Sequence, residues 1–244
     1  MLTRYHFTLM ADTGESPCPE WAYRLYAALL EDAPEDFSRL VHRDAVTPLS
    51  QYLTTDRQGI LHWNVSLLGS QSENALSGVL DNAEGFDLEH GGHISILTRE
   101  RREIGDADTL FSLAEQSGRT HHLQICTPAA FKSRGQYLIL PSTRLIVQSL
   151  IRKWNGCILD CPIEDEDGAG AEALVSGLHC TGFRLQDRVY YLKGKPIPGF
   201  TGSITLENRL DGFHRLLADA LLRFSVYSGI GIKTALGMGG IERH

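Results

Sequence analysis

Apolar residues recur every three or four positions along 213–224, where Phe213, Leu216, Leu217, Ala220, Leu221 and Phe224 predict an amphipathic helix. Other periods govern the rest of the chain. Residues 2–9 alternate well enough for an opening strand, and a Pro/Gly/Ser turn region follows at 13–19. Pro19 suits a helix start, and Trp21, Leu25, Ala28 and Leu29 fall on one face of a helix running through Leu30. Pro34 marks a loop, and a short segment at 37–41 leads to His42. Strands are predicted at 60–68 and 93–98, and helices at 73–80 and 106–116. Apart from the short helix at 73–80, this is a β-α-β-β-α succession with a last strand near residue 120, the ferredoxin-like order.

The second half repeats the theme. Strands at 123–127 and 136–140 surround a turn, and Pro141 opens a helix carrying Leu145, Ile146, Leu150 and Trp154. The acidic, Gly-containing stretch 164–172 reads as a solvated loop. Strands at 179–185, 189–193 and 202–206 precede the terminal helix, with Lys193 and Lys195 flanking Gly194 in a solvated hairpin. A short strand closes the chain. The architecture expected is α+β: two tandem ferredoxin-like (RRM-like) domains, 1–118 and 119–244, with a C-terminal glycine-rich loop.

Charge divides along the same boundary. The chain carries a net −7, which by itself argues against a polyanion partner. Residues 1–118 hold 8 Lys and Arg against 19 Asp and Glu, or −11, and residues 119–244 hold 15 against 11, or +4. From Arg119 to Leu159 six basic residues (Arg119, Lys132, Arg134, Arg144, Arg152, Lys153) occur without one acid. The second half is therefore the part that would draw a polyanion.

The terminal helix runs into a loop with glycines at 229, 231, 237, 239 and 240 around one lysine, Lys233. Glycine exposes backbone N–H groups and permits close approach, which suits a phosphate backbone. Neither nucleotide-binding fingerprint fits. Ile232 stands where the Walker pattern needs glycine before the lysine, and no helix follows as the dinucleotide pattern requires.

No run of about 18 apolar residues suggests a membrane span, and the first ten residues lack the basic-then-apolar build of a signal peptide. Five irregularly placed cysteines suggest reduced thiols in a cytoplasm. Cys157 and Cys161 could form half of a zinc site, but no second pair follows at ligand spacing. His90 with His93, and His121 with His122, lack a supporting ligand at useful spacing and read as structural. No metal and no cofactor are expected.

Four segments in order resemble the CRISPR-associated repeat-processing endoribonucleases of the repeat-associated mysterious protein superfamily. They are Thr127-Pro-Ala-Ala-Phe-Lys132, Pro141 through Ser149-Leu-Ile-Arg-Lys-Trp-Asn155, Pro198-Gly-Phe-Thr-Gly-Ser-Ile204, and the glycine loop Ser228 to Gly239. In the first half, Leu40-Val-His42 followed by Thr47-Pro-Leu-Ser50 resembles the family's Leu-His and Lys-Pro-Phe stretch, without its lysine and aromatic. Tyr26 is the best positional match to a tyrosine that some relatives place beside the histidine.

The resemblance implies a metal-independent endoribonuclease that cleaves CRISPR precursor RNA within the repeat. RNA supplies its own nucleophile, the 2′-hydroxyl, and the products are a 2′,3′-cyclic phosphate and a 5′-hydroxyl. His42 and Tyr26 are the implied catalytic pair, since a histidine titrating near neutrality can move either proton. Which residue replaces the missing lysine stays open, with Arg43 a candidate by adjacency. Lys132, Arg134, Arg144, Arg152, Lys153 and Lys233 are the expected RNA contacts, together with the loop glycines Gly229, Gly231, Gly237 and Gly239. Arg152 and Lys153 are read at a helix end, where cations also suit the dipole. Repeat RNA, as a hairpin or unstructured, is the expected partner; a homodimer and an interference complex are further candidates. The competing reading is a non-catalytic RNA-binding scaffold subunit of such a complex.

Overall fold

The structure, a computed structural model, describes residues 1–12, 18–43, 46–88 and 92–243, with His42 described by its backbone alone. The opening strand β1 (Leu2–Asp12) buries Tyr5, Phe7 and Leu9 on one face and turns Arg4, His6 and Thr8 to the other. A 3-10 turn at Pro19–Trp21, begun by Pro19 as expected, leads into α1 (Ala22–Glu31). The segment expected as short is a true helix, α2 (Glu35–Arg43), with Glu35 and Asp36 in its first turn where the dipole favours them. Strands β2 (Leu49–Thr55) and β3 (Leu61–Leu68), helix α3 (Ser70–Asn82), and strands β4 (Gly85–Asp87) and β5 (His93–Ile104) follow. The sheet order is β2-β3-β1-β5-β4, antiparallel throughout.

Strand β5 outruns its expected end at residue 98. Residues Arg99 to Glu103 are all charged and hid the strand period, yet pairing with β1 continues to Leu2 opposite Ile104. Those charges are stabilised across elements. Arg101 reaches Glu73 at 2.8 Å, Asp81 at 2.5 Å and Glu103 at 2.5 Å.

The next helix, α4 (Ala107–Glu115), is capped by Asp106, whose carboxylate accepts from Thr109 N–H at 2.7 Å. Beyond it come β6 (Thr120–Ala129), the small hairpin β7 (Phe131–Ser133) and β8 (Gln136–Leu138), and α5 (Thr143–Cys157). Ser142 caps α5 by accepting from Leu145 N–H. The acidic stretch expected as a loop partly folds into α6 (Ala169–Gly177). Asp165 makes this possible, because its carboxylate takes the N–H groups of Gly170 and Ala171 at 2.8 Å each. The two strands expected at 179–193 are one long strand, β9 (Leu178–Leu192), turning at Lys193–Gly194 into β10 (Lys195–Asn208). Helix α7 (Gly212–Ser228), a 3-10 turn at Thr234–Leu236 and β11 (Ile241–Arg243) complete the chain.

This second sheet has the order β11-β6-β10-β9, again antiparallel. Both sheets therefore place the first strand between the third and fourth, the ferredoxin-like arrangement of β-α-β-β-α-β units. The assignment of helices within the first half changes. Its second helix is α3 and its fourth strand is β5. Helix α4 instead buries Leu110 and Ala114 in the core that contains Trp154, Leu217 and Phe224.

Two large cores result, one around Phe7, Trp63 and Leu76 and one around Trp154 and Phe224, whose rings meet edge-on at 5.3 Å. Polar side chains join them. Arg4 donates to Val226 O at 2.9 Å, Tyr52 Oη at 2.6 Å and Asn64 Oδ1 at 2.9 Å. Gln51, held by Trp63 Nε1 at 2.7 Å, donates to Ala22 O at 2.8 Å and Ala235 O at 3.0 Å. These contacts fix the C-terminal loop against α1 and β2.

Candidate functional site

A cleft of about 720 Å³ opens where α1, the end of α2, α5 and the C-terminal loop meet. Tyr23 and Tyr26 of α1 line one wall, one helical turn apart, with Val41 of α2 and Val46 beside them. Lys132 of β7 and Gln148, Ser149, Arg152 and Lys153 of α5 line the opposite wall, and the segment 231–236 closes the end. Lys193, at the tip of the β9–β10 hairpin, crosses over to place its Nζ 4.7 Å from the Tyr23 ring centroid.

The loop between α7 and β11 is folded tightly on itself. Gly231 has φ +77°, and a Cβ there would stand 2.2 Å from Ala130 O. A Cβ on Gly239, φ +65°, would stand 2.1 Å from Ile230 O. The glycines are thus required by backbone meeting backbone. Their N–H groups are largely spent inside the protein. Gly229 donates to Ser225 O at 2.9 Å, Gly231 to Ser149 Oγ at 2.9 Å, Gly239 to Pro128 O at 3.0 Å and Gly240 to Thr127 Oγ1 at 3.0 Å. An open cradle of glycine N–H groups is therefore not how this loop is built.

What the loop presents is its lysine. Lys233 is exposed while Thr234, Ala235 and 237–241 around it are buried. Its φ of +58° is left-handed, a conformation costing a non-glycine residue roughly 1–2 kcal/mol. The carbonyl of Lys233 accepts from Leu236 N–H at 2.9 Å and Met238 N–H at 3.3 Å, which holds that conformation. Lys233 lines the cleft, and among the described residues its ammonium has no ion-pair partner.

Lys153 is different. It is buried, and its Nζ donates to Ser228 O at 2.9 Å and Gly229 O at 3.0 Å. Burial pushes its ammonium down to about 7, with Arg152 adding to the fall. The helix runs on to Cys157, so Arg152 and Lys153 stand a turn before its end and the dipole reading of them is replaced. The Cys157 thiol is pushed up to about 12 by burial, and among the described residues no cluster of three His, Cys, Asp or Glu is placed to hold a metal ion.

Tyr26 is buried at the cleft wall, which pushes its phenol up to about 12, with Tyr23 contributing. It keeps its proton at neutral pH and can donate it in a hydrogen bond. His42 falls in the last turn of α2, between the cleft-lining Val41 and Val46, but its side chain lies outside the described residues, as do residues 44–45, His90 and His244. Arg43 is exposed at the helix end.

The remaining expected contacts lie off the cleft. Arg134 is exposed in the β7–β8 turn with φ +47°. Arg144, in the first turn of α5, makes a two-pronged ion pair with Glu172 of α6. His121 is fully buried with Nε2 2.7 Å from Asp219 Oδ1, and His122 faces Thr205 Oγ1 at 3.1 Å, structural roles for both. Lys193, expected in a solvated hairpin, instead lines the cleft, and Tyr23 was not singled out from the sequence. The spacing of Tyr23 and Tyr26 on one helix face was available there, whereas the reach of Lys193 follows from the 15-residue length of β9.

The four sequence segments singled out above converge here. Thr127 and Pro128 of β6 and Ala130 just after it bind the loop, Ser149 and Lys153 bind it from α5, and Gly199 passes so close that a Cβ would stand 2.8 Å from Ala129 O.

A family model described as CRISPR-associated endoribonuclease Cas6 matches residues 123–241. A CRISPR-associated endoribonuclease Cas6 of Mycobacterium tuberculosis (strain CDC 1551 / Oshkosh) is 33% identical over 224 residues, 89% of this chain and 70% of the relative. One of Streptococcus thermophilus is 29% identical over 230 residues, 93% of each chain. Among solved structures, a Cas6 product complex aligns over 100% of this chain and 99% of its own, with a TM-score of 0.78 at 24% identity. Thermus thermophilus Cas6 aligns over 100% and 98%, with a TM-score of 0.69 at 21% identity.

Proposed function

The chain belongs to the CRISPR-associated endoribonuclease Cas6 family, and from that premise we propose that it cuts CRISPR precursor RNA within the repeat, using the RNA's own 2′-hydroxyl. The observation that carries this reading is the cleft where Lys132, Arg152, Lys193 and Lys233 meet Tyr26 and the end of α2 bearing His42. Cations on three sides suit a bent phosphate backbone, and such contacts position RNA without reading its sequence. The acidic balance of the first half leaves the cleft as the place where RNA is attracted.

In the reaction the 2′-oxygen forms a bond to phosphorus as the bond to the 5′-oxygen breaks. One proton leaves the 2′-hydroxyl and one must reach the 5′-oxygen. His42 performs one of these transfers, a contribution of about 10²–10⁴-fold. Tyr26, protonated at working pH, donates a hydrogen bond to the phosphate or the leaving oxygen. Holding the three reacting atoms in line supplies much of the remainder, and no metal enters the scheme. Lys132, Arg152 and Lys233 hold the phosphates beside the cut, and the glycines at 229, 231, 237 and 239 fix the loop that carries Lys233. Arg134 and Arg144 extend contact along the outer RNA. The two halves, 1–118 and 119–244, act as one unit around the cleft. Five unpaired thiols support a cytoplasmic site of action.

The test is cleavage of a cognate repeat RNA in excess EDTA, beside the same RNA with a 2′-deoxy substitution at the cut. Intact RNA should yield a 2′,3′-cyclic phosphate and a 5′-hydroxyl, and the deoxy RNA should stay whole. Cleavage of the deoxy RNA overturns the mechanism. His42→Ala should abolish cutting and leave binding within about threefold, roughly 0.6 kcal/mol on the affinity scale; wild-type cutting by that variant removes His42 from the site.

A further inference from the structure

Lys153 has the sequence context of an RNA contact and the structural context of something else. Its Nζ is directed at Ser228 O and Gly229 O, the last carbonyls of α7 where the chain enters the glycine loop. Four residues earlier on the same face of α5, Ser149 Oγ accepts the Gly231 N–H at 2.9 Å. Helix α5 thus grips the first three residues of the loop at two points. The ordinary fate of helix-terminal carbonyls is a cap or water, and here a buried lysine supplies the cap. From Gly231 the chain is fixed again by Ile232 N–H to Ala130 O at 2.9 Å, and the next residue is Lys233, held in its left-handed conformation.

We propose that Ser149 and Lys153 are positioning residues, which set the C-terminal loop through hydrogen bonds from α5 so that Lys233 meets the RNA phosphate, while the Lys153 ammonium is committed to the loop and not to RNA. This rests on the cleft being an RNA site. Three observations support it. The residue is buried, at 8% exposure, and two of the ammonium's three hydrogens are committed to carbonyls. Its lowered pKa means that the group is often neutral at pH 7, a poor property for a phosphate contact. Lys233, by contrast, is exposed and lines the same cleft. The helix motif and the glycine loop, far apart in sequence, become one device for placing a single charge.

A double-mutant cycle decides the matter. Affinity for an uncleavable 2′-deoxy repeat RNA is measured for the wild type, Lys153→Met, Lys233→Ala and the double variant, each first checked for a cooperative thermal transition. Lys153→Met should weaken binding about five- to tenfold, about 1–1.4 kcal/mol. Once Lys233 is absent, it should add less than twofold. Ser149→Ala should behave in the same way and Ser149→Thr should restore affinity, which keeps the test available if Lys153→Met fails to fold. Independent, additive losses would show that Lys153 meets the RNA itself and would overturn the proposal, as would wild-type affinity in Lys153→Met or Ser149→Ala. Amide hydrogen exchange without RNA provides the second arm. Residues 229–240 should exchange faster in these variants with α5 unchanged, and unaltered loop exchange overturns the positioning role. A wild-type chain that binds no repeat RNA sinks the functional reading and with it the role of Lys233, whereas the exchange arm still decides whether the grip exists.

Discussion

Single residues in this protein do work that their type alone does not reveal. Lys153 carries a charge whose burial has a measurable consequence for stability. Below pH 7 both folded and unfolded chains hold the proton. Between about 7 and the usual lysine value near 10.5 only the unfolded chain holds it, so folding releases a proton and stability rises with pH across that window. Chemical denaturation of the wild type and Lys153→Met at pH 6 and pH 9 should show the wild type gaining a few kcal/mol relative to the variant. A constant difference would contradict the lowered pKa. Gly231 is the other residue whose role is steric. With φ +77° and Ala130 O where a Cβ would go, Gly231→Ala should destabilise by about 3 kcal/mol or more, read in urea melts. Both residues look like RNA contacts in the sequence; packing commits the Lys153 ammonium to loop carbonyls and leaves no room for a Cβ on Gly231.

Helices and strands follow the hydrophobic pattern where that pattern is unbroken. The second half was legible as β-α-β-β-α-β because α5 and α7 have clear apolar faces and β6 alternates buried with exposed residues. The first half was harder to parse, with no strand predicted at β2 and α2 read only as a short segment. Five charged residues at the end of β5 removed its period, so the strand was read short and α4 was taken into the wrong unit. Those charges belong in a strand because Glu73 and Asp81, on α3, are there to meet Arg101. The acidic excursion misled in the same way, since Asp165 caps a helix that composition alone disfavours. At this scale α5 is the central element. Its Trp154 is 1% exposed against Phe224, so Trp154→Ala should cost about 3–5 kcal/mol by calorimetry or denaturant. The same variant should also weaken RNA binding, because it loosens the helix that holds the loop.

The molecule as a whole turns an acidic chain into an RNA-binding one by arrangement. Net charge is −7, yet Lys132, Arg152, Lys193 and Lys233 come from four separate stretches to one cleft. If Lys132, Arg152 and Lys233 each displace a counterion, replacing any one by Ala should flatten the dependence of log affinity on log salt by about 0.7–0.9. Arg144, already paired with Glu172, should produce a smaller change. An unchanged slope for Lys233→Ala would remove that lysine from the RNA path.

By itself the sequence determined the two-fold repetition of the fold, the segregation of charge and the four segments by which the family is recognised. Each of those is written locally, in periodicity or in short motifs. Only the tertiary structure decided why the loop is built of glycine, because its glycines answer to Ala130, Ile230 and Tyr52, residues distant along the chain or across the loop. It also separated Lys153 from Lys233, two lysines of similar sequence context. One is enclosed by carbonyls and the other is held out toward the cleft, a difference of burial and hydrogen bonding that no local pattern encodes.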